Sequence, residues 1–226
     1  MNYVLATSRV WHEKMAKDLQ EQSDSRFDLI SRKEDLNIQT LNKLNPRYIF
    51  LPHWSYIIPA EVYANFECVI FHMTDVPFGR GGSPLQNLIV RGIYDTKISA
   101  LRCVRKLDAG PVYLKRPLSL YGTAEEIFLR AGKIIEEMII DIIDSQPEPV
   151  EQSGEEVVFT RRKPKQSNID SISGMEKLYD HIRMLDADGY PHSFLKAGKF
   201  RFEFRRASLR KGRIVADVEI TEVDNE

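Results

Sequence analysis

Cysteine is scarce in this chain, with only Cys68 and Cys103 among 226 residues. Neither has a CxxC partner or a histidine at ligand spacing, which excludes a disulfide framework and a zinc-ribbon site. Both lie in apolar, strand-like runs, so they are expected to be reduced core thiols, and no metal is expected. No stretch approaches the roughly 18 consecutive apolar residues that a membrane helix needs. Met1 to Ala6 reads as a core strand rather than a signal peptide, so a cytoplasmic protein without a membrane partner is expected. An excess of positive charge is also missing: 32 Lys and Arg against 33 Asp and Glu leave a formal net charge of −1. Without the basic footprint that phosphate binding leaves, nucleic acid is not expected as a partner. Internal repeats and low-complexity tracts are absent.

What is present is ordinary globular composition, 42% apolar and 29% charged, in a chain long enough for one core and a small second unit. Strand and helix signals alternate through the first half. Tyr3 to Ala6, Phe27 to Ile30, Tyr48 to Leu51 and Cys68 to His72 read as strands. Trp11 to Gln20, Glu34 to Leu44 and Pro84 to Arg91 read as helices, the last with proline in its first turn. Such alternation predicts a Rossmann-like α/β domain, with a parallel or mixed sheet covered on both faces. Extended segments follow at Ile98 to Val104 and Pro111 to Leu114. Thr123 and Glu126 form a capping box before Ile127, Ala131, Ile134, Met138 and Ile142, which recur at helical spacing. The helix should stop near Ser145, where Pro147-Glu148-Pro149 opens a polar linker. Beyond it, Val157 to Thr160 is extended, Met175 to Leu185 is helical, and Phe200 to Phe204 and Arg213 to Ile220 alternate as a hairpin. The expected division is a catalytic domain over residues 1–146, then a linker and a small α+β subdomain over 147–226.

Chemistry concentrates in two places. His72 stands where a buried strand meets its exit loop, Phe71-His72-Met73-Thr74-Asp75-Val76-Pro77-Phe78-Gly79-Arg80-Gly81-Gly82-Ser83-Pro84. Asp108 stands in the turn Leu107-Asp108-Ala109-Gly110-Pro111. Imidazole exchanges a proton near neutrality, and a carboxylate beside it can fix its tautomer, a pairing suited to acyl transfer onto an amine. The plain alternative is that His72 hydrogen-bonds a loop and Asp108 caps a turn.

Together these stretches resemble the formyltransferase family that uses N10-formyltetrahydrofolate, which includes methionyl-tRNA formyltransferase and sugar N-formyltransferases. The shared landmarks are His72, Pro77, Arg80-Gly81, Pro84 and Leu107-Asp108-Ala109-Gly110-Pro111. Ile182-Arg183-Met184-Leu185 with Gly189-Tyr190-Pro191 extends the likeness into the C-terminal unit. One landmark departs: the family's Asn, whose amide helps hold the oxygen of the tetrahedral intermediate, falls on Ile70. Replacement donors are protonated His72, the Thr74 hydroxyl, the His53 ring or a backbone NH.

The resemblance implies His72 and Asp108 as catalytic residues and N10-formyltetrahydrofolate as the co-substrate. It also implies a pterin site formed largely by backbone groups of the loop His53 to Pro59, with Tyr56, Ile57 and Ile58, and by the loop bearing Leu107 and Asp108. Ser8 and Arg9 at the exit of the first strand are candidates to meet a substrate phosphate, and Trp11 to cover an apolar ring. The glycine-rich turn with which purine-pathway members cradle a ribose phosphate is missing there. Arg80, among small neighbours, either contacts a ligand or tethers its loop. The basic tail, Lys196 to Arg213, is read as the wet face of the hairpin.

The implied acceptor is the amine of a nucleotide-linked 4-amino-4,6-dideoxy sugar. The stretch from Phe71 to Asn87 looks most like a subgroup tied to pseudaminic acid pathways and to formylation domains of peptide synthetases, which singles out UDP-4-amino-4,6-dideoxy-N-acetyl-altrosamine. An aminoacyl group on tRNA or on a peptide carrier protein, and a noncatalytic folate or nucleotide-sugar binding module, are the alternatives. Initiator tRNA would call for a larger, more basic tail. The nucleotide, the sugar stereochemistry and a homodimer are left open.

Overall fold

A computed structural model describes residues 1–8 and 13–223, with Glu13 by its backbone alone. The first half alternates as its patterning predicts: β1 (Asn2–Ala6), α1 (Glu13–Ser23), β2 (Arg26–Ile30), α2 (Ile38–Leu44), β3 (Tyr48–Leu51), α3 (Ala60–Asn65) and β4 (Cys68–His72). After β5 (Phe78–Gly81) and α4 (Pro84–Ile89) come β6 (Asp95–Arg102) and β7 (Val112–Ser119). The main sheet has the order β2-β1-β3-β4-β6-β7. Its first four strands are parallel, and β6 turns back antiparallel against β4, with Ser99 opposite His72. All four residues of β3 and the last four of β1 are buried, as strands covered on both faces must be.

Three departures from the expected elements have local causes. The helix expected over 34–44 is split, because the Asn37 side chain accepts the Thr40 N–H at 2.9 Å and starts α2 only at Ile38. Helix α3, six residues behind Pro59, is too short to show a 3.6-residue period. Strand β7 runs on through Lys115-Arg116-Pro117 to Ser119; it is the edge of the sheet, where proline's missing donor costs little.

Packing divides the chain into two units. The first comprises Met1–Arg80, Lys97–Leu118 and Arg130–Val158, and the second Gly81–Thr96, Ser119–Leu129 and Phe159–Glu226. Helix α5 (Ala124–Ser145) opens on the expected capping box: Thr123 N donates to Glu126 Oε2 at 2.7 Å, and Glu126 N donates to Thr123 Oγ1 at 3.2 Å. Its buried stripe takes Ile127, Ala131, Met138 and Ile142 as expected, but Ile135 in place of Ile134. In the second unit, α6 (Met175–Arg183) precedes β9 (Ser193–Ala197), β10 (Phe200–Arg210) and β11 (Arg213–Glu222), which form a three-stranded sheet with β10 central. Strand β8 (Val157–Phe159) pairs with β5 in a separate ribbon. Several basic residues of the tail are matched by acids on the hairpin, Arg201 with Glu203, Arg205 with Glu219 and Arg206 with Asp217. Among the described residues, no helix is long and apolar enough to cross a membrane.

Candidate active site

Strand β4 is the apolar run Cys68-Val69-Ile70-Phe71 ending on His72, and alternation puts Cys68, Ile70 and His72 on one face. His72 is 8% exposed. Its Nε2 lies 2.8 Å from the Gly79 carbonyl, and since a carbonyl only accepts, Nε2 carries a proton. Nδ1 is thereby left facing Asp108, with Oδ2 at 3.5 Å, wider than a hydrogen bond. The Thr74 hydroxyl donates to the same Gly79 carbonyl at 3.3 Å, which spends the proton it might have offered an oxyanion. Ser99 Oγ donates to the Thr74 carbonyl at 2.7 Å and pins the loop to β6.

Asp108 arrives from the other end of the strand pair. Strand β6 finishes beside the start of β4, where Cys103 N donates to the Cys68 carbonyl at 2.8 Å. The loop from Val104 to Gly110 then brings the carboxylate back to His72. The turn depends on Gly110, because a Cβ there would lie 1.8 Å from the Arg102 carbonyl oxygen. Asp108 itself is held at a φ of 51°, a left-handed conformation that non-glycine residues seldom adopt. Cys103 registers the arrangement: burial, and then the Asp108 charge, push its thiol up to about 11. Burial, with Cys103 and Glu67 adding to it, raises Cys68 as well, so both cysteines are the core thiols expected.

The loop after β3 meets the same face of β4. Trp54, Ile58, Ile70 and Cys103 all pack on one apolar cluster built around Val4, Ile49, Leu51 and Val62. Ile57 and Leu107, on the two expected pterin loops, are 85% and 60% exposed. Tyr56 is partly exposed and meets the Trp54 ring edge-on at 5.3 Å. Ser8 braces this loop, donating to the His53 carbonyl at 2.8 Å and lying 3.0 Å from Ser55 Oγ. The other first-strand candidates, Arg9 and Trp11, lie outside the described residues.

Arg80 tethers its loop through side-chain contacts. It is 8% exposed, with Nε and Nη2 donating to Gln152 Oε1 at 3.0 and 2.7 Å and Nη1 paired with Glu156. Lys106 reaches the same Glu156 at 2.8 Å, and hydrogen bonding from Lys106, with the Arg80 charge adding to it, holds that carboxyl below its usual range. The glycines beside Arg80 serve packing: a Cβ on Gly81 would sit 2.4 Å from the Phe159 carbonyl oxygen. Sequence reasoning missed Gln152, which sits in a stretch without periodicity or motif. It also missed the brace on the loop after β4, where Lys115 and Lys97 hold Asp75. Burial alone would raise the Asp75 carboxyl, but hydrogen bonds from these two lysines outweigh it and hold it low. Among the described residues, no group of three or more His, Cys, Asp or Glu is placed to hold a metal ion.

Comparison with known proteins decides the family. A solved structure of methionyl-tRNA formyltransferase from Clostridium thermocellum is 52% identical, covers 98% of this chain and 99% of its own, and superposes with a TM-score of 0.96. The chain belongs to the formyltransferase family. Residues 164–221 match the family described as methionyl-tRNA formyltransferase, C-terminal domain. A curated methionyl-tRNA formyltransferase from Mesoplasma florum is 22% identical over 187 residues, covering 79% of this chain and 59% of that protein. Other curated relatives are covered over 48% of their length, so the chain spans about half the length of the curated relatives it matches. A 4-N formyltransferase from Francisella tularensis shares the fold at 14% identity and a TM-score of 0.70, over 100% of this chain and 98% of its own.

Proposed function

We propose that the chain transfers a formyl group from N10-formyltetrahydrofolate to the primary amine of a nucleotide-linked 4-amino-4,6-dideoxy sugar, with UDP-4-amino-4,6-dideoxy-N-acetyl-altrosamine as the specific acceptor. The observation that carries the reading is the opposition of His72 Nδ1 and Asp108 Oδ2 across 3.5 Å, a gap beside an apolar floor. The neutral amine attacks the formyl carbon and a C–N bond forms. With Nε2–H committed to the Gly79 carbonyl, His72 can offer the oxyanion a hydrogen bond only through a proton on Nδ1, the nitrogen that faces Asp108. Asp108 accepts the proton from the new ammonium and passes it through water to N10 as the bond from carbon to N10 breaks. Tetrahydrofolate leaves with that proton. Net charge near zero supports a small acceptor over tRNA, whose binding leaves a basic footprint.

A second reading is favoured by the Clostridium thermocellum relative at 52% identity, a methionyl-tRNA formyltransferase by name: the acceptor would then be an aminoacyl group on tRNA. A noncatalytic module is weighed down by the retained His72 and Asp108. The test is to incubate the protein with N10-formyltetrahydrofolate and either UDP- and dTDP-linked amino sugars or methionyl-tRNA, following tetrahydrofolate release. Turnover with a 4-amino sugar is expected. Turnover with methionyl-tRNA alone would install the second reading, and folate binding without turnover would install the module.

A further inference from the structure

The loop that carries Asp108 has a left-handed backbone at that residue, and within it Ala109 N donates to the Lys106 carbonyl at 3.2 Å. Support comes from beyond α5. Val150 and Val112 exchange backbone hydrogen bonds at 2.8 and 2.9 Å, which lays the segment after the helix alongside the start of β7. Two residues on, Gln152 Nε2 donates to the carbonyls of Asp108 at 2.9 Å and Gly110 at 2.8 Å, one on each side of Ala109.

The orientation of that amide is not free. Guanidinium only donates, so two N–H groups of Arg80 fix which end of the Gln152 side chain is oxygen. The NH2 group must then face the loop. All four hydrogen-bonding valences of the amide are filled, two outward from nitrogen and two inward to oxygen. Glu156 closes the frame by holding both Arg80 and Lys106, the latter from the same loop.

We infer that Gln152 is the positioning residue for Asp108: it clamps the loop carbonyls that flank Ala109, and Arg80 acts through it by setting its orientation. This rests on the formyl-transfer reading for its kinetic consequence, while the clamp itself is measurable without substrate. Misplacing a reacting group by about 1 Å costs on the order of a hundredfold in rate.

Gln152→Glu separates positioning from packing. It keeps the volume and the oxygen that Arg80 holds, but it loses both donors and turns an anion toward two carbonyls. In this variant kcat should fall about a hundredfold, with the acceptor KM within about twofold, and hydrogen exchange at the Ala109 amide should speed up about tenfold. Gln152→Leu should behave alike in both readouts, and Gln152→Asn, one methylene shorter, should recover only part of kcat. Wild-type kcat or unchanged Ala109 protection in a folded Gln152→Glu protein would overturn the inference. If wild type formylated no acceptor, the functional reading would fall, and the exchange result alone would still decide whether Gln152 clamps the loop.

Discussion

His72 in the first unit and His181 in the second are buried to the same degree, each 8% exposed, yet their surroundings are opposite. Around His181, Ser193 Oγ donates to the His181 carbonyl at 2.8 Å and therefore accepts from Nδ1 at 3.0 Å. Arg162 Nη2 donates to the Gln166 carbonyl at 2.7 Å and lies 3.2 Å from Nε2. Nε2 also lies 3.0 Å from the Gln166 carbonyl, so a second proton there would gain that acceptor but face the Arg162 cation. Burial, and then the Arg162 charge, outweigh the Gln166 carbonyl and push His181 down to about 4. Around His72 the tautomer is reversed: Nε2 holds the proton, and Nδ1 faces an anion across a gap wider than a hydrogen bond. Burial of a histidine therefore says little about its role. On the proposed function, the sign of the nearest charge and a nitrogen left without a short partner are what separate His72 as a proton-transfer group from His181 as a packing one.

The largest effect that can break this contrast is kinetic. His72→Asn and Asp108→Asn should each lower kcat/KM by about 10² to 10⁴, whereas His181→Asn should leave turnover per folded molecule unchanged, as steady-state assays on purified proteins would read.

Stability against pH sharpens the other side. His181 titrates near its ordinary 6.5 when unfolded and at about 4 when folded, so between these values the unfolded chain binds more protons and stability falls with falling pH. The contribution is intact above about pH 6.5 and is lost toward pH 4, up to about 3 kcal/mol. Thermal unfolding across that window should show the slope, and His181→Phe should remove it.

A smaller effect concerns Cys103. With its thiol pushed up to about 11, it should alkylate at pH 8 about a hundredfold more slowly than a free thiol, and Asp108→Asn should narrow that difference. Smallest is Ile70→Asn. It places an amide on the His72 face of β4, so turnover should equal or exceed wild type while stability drops by about 1–2 kcal/mol, readable from paired kinetic and denaturation measurements.

The parallel half of the fold was legible because buried strands write themselves as short apolar runs, Tyr48 to Leu51 and Cys68 to Phe71, between helical periods. The capping box at Thr123 was equally plain, since two side chains three residues apart define it. Legibility failed where one residue decides, at Asn37 ending one turn and starting another, and at Pro117 within an edge strand. Within the site, His72 and Asp108 stood out by residue type and motif, and Gly110 is explained by its contact with Arg102. For Arg80 a tether was one of two readings, but its partner Gln152 could not be read, because it lies 72 residues away in a stretch with no pattern. Ser8 is a phosphate candidate from its place after β1, and the fold adds that its hydroxyl braces the His53 carbonyl.

Single-turnover formyl transfer by wild type, His72→Asn and Asp108→Asn, each saturated with N10-formyltetrahydrofolate and mixed with the amino sugar acceptor, tests the pairing of His72 and Asp108 most directly. Both variants, at saturating folate, should transfer at least about a hundredfold more slowly. Wild-type transfer rates in either folded variant would contradict the account.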